Sequence, residues 1–269
     1  TRFETDAPPR SYLVYDLSSA SRDALGPASH PAGIIFHSTE SLQAPFEEDQ
    51  NRRLQRLGEN LLSYVRSKRC YNYVVDRFGR VWRVVPDGAM ANHAGWSVWG
   101  SGSRVWVNLN RSFLGVALEA ETGDGAGGRV TPAQLHATRI LTEMLRARHQ
   151  IPPENCATHG QVSVSLSGAH LGYHTDWLKG FPFADLGLPN NYARTAPAVF
   201  GFGIAYAQGY SAAADSAWAA GLRAAEEALA REAAERGVSA GEWRSRLQRR
   251  YQQLRTEPQD SGEEASDEL

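Results

Sequence analysis

Short apolar runs rich in β-branched residues recur along the chain, separated by stretches whose apolar residues keep helical spacing. The clearest is 32–38, AGIIFHS, which is too short for a buried helix and lies between Pro31 and Thr39. That pattern predicts a buried strand. Residues 114–120 read the same way, as do 155–159, which follow Pro152 and Pro153. Residues 71–76 and 80–85 flank Arg77-Phe78-Gly79, a hairpin signal. Between these runs, Leu54, Leu57, Leu61, Leu62 and Val65 mark an amphipathic helix within 46–65. Thr131 stands as a helix cap with Pro132 at the first helical position, and Leu135, Thr138, Leu141, Met144 and Leu145 form the predicted buried face. Strands and helices mixed in this order predict an α/β fold, a mixed central β-sheet flanked by helices.

The pattern changes at both ends. Residues 1–30, with Pro8, Pro9 and Pro27, read as an irregular N-terminal arm with one short strand at 12–15. A central domain is expected over 31–190. Its glycine-rich stretch 123–128 reads as a surface turn and 161–173 as a loop. Residues 181–200, rich in Pro, Gly and aromatics, look like a boundary. Trp218, Leu222, Ala225, Leu229 and Ala233, then Trp243, Leu247, Tyr251 and Leu254, recur every three or four residues on either side of Gly237. They predict a C-terminal helical extension over 191–256, a hairpin that packs on the main domain or docks a partner protein of the envelope. The acidic tail 257–269 has the composition of a disordered segment.

Composition narrows the function. Net charge is −2, so no global positive field draws the chain to nucleic acid or anionic lipid. No stretch of apolar residues is long enough to span a membrane. The sequence opens on a polar, proline-containing segment without the apolar core of a signal peptide, which is expected either never to have existed or to have been removed. Two cysteines, Cys70 and Cys156, cannot build a disulfide framework or a four-cysteine zinc site, and are expected to be free and buried. A phosphate-binding loop and a Gly-x-Ser-x-Gly nucleophile elbow are both absent.

What remains is a constellation spread over the chain. His37 ends one predicted strand, His159 ends another, and Asp176 follows in a polar loop. Two imidazoles and a carboxylate are a usual ligand set for catalytic zinc, leaving a fourth position for water. The chain has 8 histidines, so this triple alone is weak, and a buried strand histidine bonded to backbone is the competing reading of His37.

Neighbouring motifs add specificity. Ile34-Ile35-Phe36-His37-Ser38, the hairpin Tyr71 to Val81, Ala91-Asn92-His93-Ala94-Gly95, Leu114-Gly115-Val116-Ala117-Leu118-Glu119, and finally Thr158-His159-Gly160-Gln161-Val162-Ser163 with Thr175-Asp176 occur in this order. Taken together they resemble the N-acetylmuramoyl-L-alanine amidases, the family that includes phage lysozyme-type amidases and animal peptidoglycan recognition proteins. The resemblance runs from about Gly33 to Phe183. It implies a zinc ion (Zn2+) on His37, His159 and Asp176, and hydrolysis of the amide between N-acetylmuramic acid and L-alanine. The substrate would be peptidoglycan or a muropeptide, met in the cell envelope (periplasm) or outside the cell. The implied alternative is a non-catalytic peptidoglycan-binding module of the same fold.

The chain departs from the family at several places. Where many members carry a glutamate as general base on the central strand, it has Ala117. Glu119, two residues on, faces the same side of a strand and is a candidate catalytic group. Tyr71, at the start of the hairpin, is another, as some members use a tyrosine there. Two residues before the third ligand the family often has lysine, and here His174 stands as a candidate oxyanion donor or an alternative ligand to Asp176. His93 and Trp96 are candidate substrate contacts, while Trp99 and Trp106 either line a groove or anchor a loop. His170 reads as an ordinary loop residue.

Overall fold

Strands and helices alternate much as the apolar pattern requires. The computed structural model describes residues 2–19, 23–121 and 130–256. In chain order its strands are β1 (Tyr12–Asp16), β2 (Ala24–Ala28), β3 (Gly33–Ser38), β4 (Tyr73–Val75), β5 (Val81–Arg83), β6 (Val98–Ser101), β7 (Arg104–Val107), β8 (Phe113–Leu118) and β9 (Cys156–Thr158). Its α-helices are α1 (Asn51–Ser67), α2 (Leu109–Ser112), α3 (Pro132–His149), α4 (His159–Val162), α5 (Pro197–Phe202), α6 (Gln208–Ala213), α7 (Ser216–Glu235) and α8 (Ala240–Thr256).

The main sheet has the order β5-β4-β8-β3-β9. β3 pairs in parallel with β8 and β9, and β4 in parallel with β8, while β5 closes the hairpin antiparallel to β4. Every residue of β3 and β8 is buried, as expected of strands covered on both faces. Parallel neighbours need long crossovers, and the segments holding α1 and α3 supply them. Consequently β3, β4, β8 and β9 all end on one edge of the sheet, where open α/β sheets place their ligands.

α3 is fixed to that edge by its cap. Gln134 N–H donates to Thr131 Oγ1 at 3.1 Å, and Thr131 N–H to Gln134 Oε1 at 2.9 Å. A cap of this kind contributes about 1 kcal/mol. The amide Nε2 of Gln134 then donates to Val75 O and Glu119 O, at 3.2 and 2.9 Å. This rotates the buried face from the one expected. Gln134, Thr138, Leu141, Thr142 and Leu145 are inside, whereas Met144 is exposed and Leu135 half-buried.

The N-terminal segment is more regular than its prolines suggest. β1 and β2 join the hairpin β6–β7 in a second, antiparallel sheet of order β2-β1-β7-β6. That hairpin carries Trp99 and Trp106, which are core residues and line no groove. The stretch 181–200 is likewise packed: Phe181, Phe183, Leu186, Tyr192, Ala196 and Val199 are all buried. α7 lies against α5, with Gly221 so near the chain that a Cβ there would sit 2.1 Å from Arg194 O. Trp218 packs on Trp99 with ring centroids 6.1 Å apart. One apolar cluster therefore runs from Tyr12 to Leu254. The periodic residues of α7 and α8 are covered inside it, or in a satellite of Leu229, Ala233, Trp243 and Leu247, and are not offered to a partner. Both cysteines are free, Cys156 buried and Cys70 partly so. Among the described residues no helix is long and apolar enough to cross a membrane. The glycine-rich stretch 123–128 and the acidic tail lie outside the described residues.

Candidate metal centre and cleft

His37 is the penultimate residue of β3, and its register partner on β8 is Ala117. β9 ends at Thr158, and His159 begins α4 instead of closing the strand. The chain returns at Asp176 after a loop, and Gly160 N–H donates to Asp176 O at 2.8 Å. This return sets the carboxylate against both imidazoles. His159 Nδ1 lies 2.8 Å from Asp176 Oδ1 and His37 Nδ1 lies 3.5 Å from Asp176 Oδ2. Ser38 N–H approaches the same Oδ2 at 3.4 Å. All three side chains are buried, and one potential ligand atom from each lies within 4.8 Å of the others.

The hydrogen-bond pattern defines the protonation of His37. Phe113 O can only accept, so His93 Nε2, 3.2 Å away, carries its hydrogen there. Burial, then the neighbouring His37, pushes the His93 pKa well below its ordinary value, so that ring is neutral and Nδ1 accepts. His37 Nε2, 3.1 Å from His93 Nδ1, therefore donates. The His37 pKa is itself pushed down to about 4, by burial first and then by His159, which leaves Nδ1 a bare lone pair. Burial would raise the Asp176 carboxyl, but His159 first, and His37 with it, outweigh that and hold it ionised. A lone pair thus faces a carboxylate oxygen across 3.5 Å in a buried place. His159 Nδ1 faces a carboxylate oxygen, and its Nε2 is buried with no hydrogen-bond partner. Acceptors gathered out of water in this way fit a cation of the kind that two imidazoles and a carboxylate hold.

The group sits at a cleft of about 600 Å³. Of the other residues singled out in the sequence, Tyr71, His93, Trp96 and His174 line it. The Tyr71 ring lies 5.0 Å from that of His37, on a residue with φ of 61°, a strained value for a bulky side chain. Burial, then Asp176, raises the Tyr71 pKa well above its usual value, so its hydroxyl remains a donor. His174 stacks on His159 at 4.6 Å, beside the triple but not in it. Trp96 lines the cleft, but Arg255 covers one face of its ring, the guanidinium carbon 4.1 Å from the centroid.

One expectation is corrected. Glu119 does not face the cleft: its Oε2 accepts Arg77 N–H at 3.1 Å on the hairpin side, where burial raises its pKa. β8 ends at Leu118, and although Glu119 N–H still donates to Val75 O at 2.9 Å, its carboxylate turns to the hairpin, where Arg77 N–H meets it. His93 does line the cleft, with both of its ring nitrogens engaged, by His37 and by Phe113 O. Gly115 makes room for it, since a Cβ there would lie 2.6 Å from the imidazole.

Glu40 was not singled out in the sequence. It follows β3 in the turn, at φ of 49°, and lines the cleft. Among the described lining residues it and Asp176 are the only carboxylates. Burial, then Asp176, raises its pKa. Its position just past the C-terminal end of a parallel strand was the available signal.

A parallel sheet with a two-imidazole, one-carboxylate group at its C-terminal edge defines a candidate metallohydrolase. The chain belongs to the N-acetylmuramoyl-L-alanine amidase family (amidase type 2), whose model matches residues 27–176. A curated relative, N-acetylmuramoyl-L-alanine amidase AmiD of Escherichia coli (strain K12), is 33% identical over 89 residues, 31% of this chain and 31% of that protein. The chain thus spans about a third of that relative's length. Among solved structures, the amidase LysC from Clostridium intestinale is 18% identical, with 69% of this chain and 94% of that one covered at a TM-score of 0.37. AmpDH3 from Pseudomonas aeruginosa is 18% identical over 58% of each chain, at a TM-score of 0.43.

Proposed function

We propose that this protein hydrolyses the amide between N-acetylmuramic acid and L-alanine in peptidoglycan or its fragments, using a zinc ion held by His37, His159 and Asp176. The observation that carries this reading is the convergence of those three side chains on one buried spot inside the family-matched segment. Bound there, zinc would polarise the amide carbonyl and lower the pKa of water. The chain's own groups do the rest. His93 fixes the His37 tautomer, so that Nδ1 is free to bind. Tyr71 donates its hydroxyl hydrogen to the oxygen that gains charge, with His174 beside it. Glu40 takes up the task that the family gives to a glutamate at the position of Ala117. It accepts the proton of the attacking water as oxygen bonds to the amide carbon. It then returns that proton to the amine nitrogen as the C–N bond breaks. The reading implies an encounter with substrate in the cell envelope or outside the cell.

A second reading is a module that binds cell-wall fragments without cutting them, and Ala117 in place of the strand glutamate favours it. One experiment separates the two. Purified protein is incubated with peptidoglycan, with and without a chelator, and released stem peptides are read by mass. Release that the chelator stops supports the amidase. Binding without release, at full zinc occupancy, overturns it.

A further inference from the structure

The segment from Gly160 to Leu178 carries Asp176, His174 and one wall of the cleft, including Leu166 and Tyr173. Beyond α4 it contains little regular structure. A loop of this length pays a large ordering entropy, so something outside it must define its course. Within the segment, Gly172 N–H donates to Ser163 O at 2.9 Å, and Val164 bridges Leu171.

From outside the segment, Trp96 O accepts Val164 N–H at 2.8 Å, and Tyr192 donates its hydroxyl hydrogen to Trp177 O at 2.6 Å. A further set of bonds comes from the C-terminal helices and the turns between them. Tyr210, on α6, donates its hydroxyl hydrogen to Gly160 O at 2.7 Å and accepts the indole N–H of Trp218, on α7, at 3.0 Å. Gly160 N–H in turn donates to Asp176 O. The residue after His159 is therefore tied through its N–H to Asp176 and through its carbonyl to a buried tyrosine. Gly172 lies flat on that tyrosine: its φ is 89°, and a Cβ would meet the ring at 2.4 Å. Leu171 and Ala205 are joined N–H to O at 2.8 Å, and Asp215 N–H reaches Leu178 O at 3.1 Å. On α8, Gln252 Nε2 donates to Ser167 O at 2.9 Å and Arg255 Nη2 to Leu166 O at 2.8 Å, while the Arg255 guanidinium covers Trp96. Most of these bonds satisfy loop carbonyls that have no partner in a sheet or helix.

We infer that the C-terminal helices are part of the site, with Tyr210 a positioning residue for the His159–Asp176 pair and Arg255 a positioning residue for the Leu166–Trp96 wall. This rests on the metal reading above. A ligand pair needs its partners held to a fraction of an ångström, and hydrogen bonds behind the ligands supply that restraint. The helices act on two separable parts of the loop, so their two residues have different signatures.

The test uses the full chain carrying Tyr210→Phe or Arg255→Gln, each compared with wild type at temperatures where circular dichroism shows all three folded. Zinc affinity is measured by calorimetric titration of the chelated protein. Loop opening is read by amide hydrogen exchange over 160–178 without metal or substrate, and hydrolysis by kcat and KM on a muropeptide. Tyr210→Phe is expected to weaken zinc about 10–100-fold and to speed exchange near Gly160 and Gly172. Arg255→Gln is expected to leave zinc affinity within about twofold, speed exchange at 166–168, and raise KM severalfold, more than it lowers kcat. Should Tyr210→Phe not fold, Phe at 210 is replaced by Trp218→Phe, which removes the donor to the same hydroxyl and is expected to shift zinc affinity in the same direction. Wild-type zinc affinity and exchange in both variants would overturn the inference. A wild-type protein that binds zinc but releases no stem peptide would sink the amidase reading alone, because zinc affinity and exchange still judge the positioning roles.

Discussion

The two walls of the cleft are built in different ways. On one side, His37 and Ser38 end a central strand: β8 pairs with both of them, and β9 pairs with the strand up to Phe36, just before them. On the other, Asp176, His174 and Tyr173 lie on an irregular loop, held by side chains from helices far along the sequence. The first wall is rigid because of local pattern and sheet pairing. The second has a few bonds of its own and one to Trp96 O, and depends for the rest on elements later in the sequence, the C-terminal helices among them. The comparison shows that one binding group can be half a property of the sheet and half a property of remote packing.

The largest expected effect falls where the two walls meet. Asp176→Ala removes the carboxylate shared by both imidazoles, and should abolish zinc retention in dialysed protein and lower hydrolysis by about a thousandfold or more. Glu40→Gln tests the strand wall's own chemistry: kcat should fall about 10²–10⁴-fold with zinc content unchanged, while Glu119→Gln should change kcat by less than about threefold. Equal effects from the two glutamates would overturn the assignment of Glu40. His93→Ala removes the acceptor that orients His37, and calorimetry should find zinc bound about 10–100-fold more weakly.

The smallest effect concerns the chelated protein alone. In the folded state His37 has a pKa pushed from 6.5 down to about 4, chiefly by burial, so between those values the unfolded chain binds more protons. Stability then rises with pH, and it falls as pH drops from about 6.5 towards 4. Denaturant melts of metal-free protein should show this slope, and zinc, which competes with protons for the same nitrogen, should extend it to lower pH. A flat profile without metal would mean that His37 is not buried as a neutral ring.

Much of the strand wall was legible in the sequence. A short β-branched run ending in histidine and bounded by turn formers has few readings other than a buried strand, and period and capping located α3, α7 and α8. Local pattern was less informative where a residue's partner lay far away. Met144 looked inward, but Gln134 and Thr142 complete the buried face with Thr138, Leu141 and Leu145, and the Gln134 amide is at home there because Val75 O and Glu119 O accept its hydrogens. Glu119 looked like a cleft residue by strand alternation, but its carboxylate turns to Arg77 N–H on the hairpin. Glu40 had no periodicity to announce it.

By itself, the sequence determined that the chain makes a mixed sheet with helices around it, and its resemblance to the amidases implied which imidazoles and carboxylate would share an ion. Periodicity, caps and the identity of the donors are local or additive properties that can be read along the chain. The tertiary structure decided which acid faces the cleft, that His93 serves His37, and that the last helices brace the loop bearing Asp176. Each of those outcomes depends on hydrogen bonds and packing between residues distant in sequence. Such pairings follow from three-dimensional fit, which no local pattern encodes.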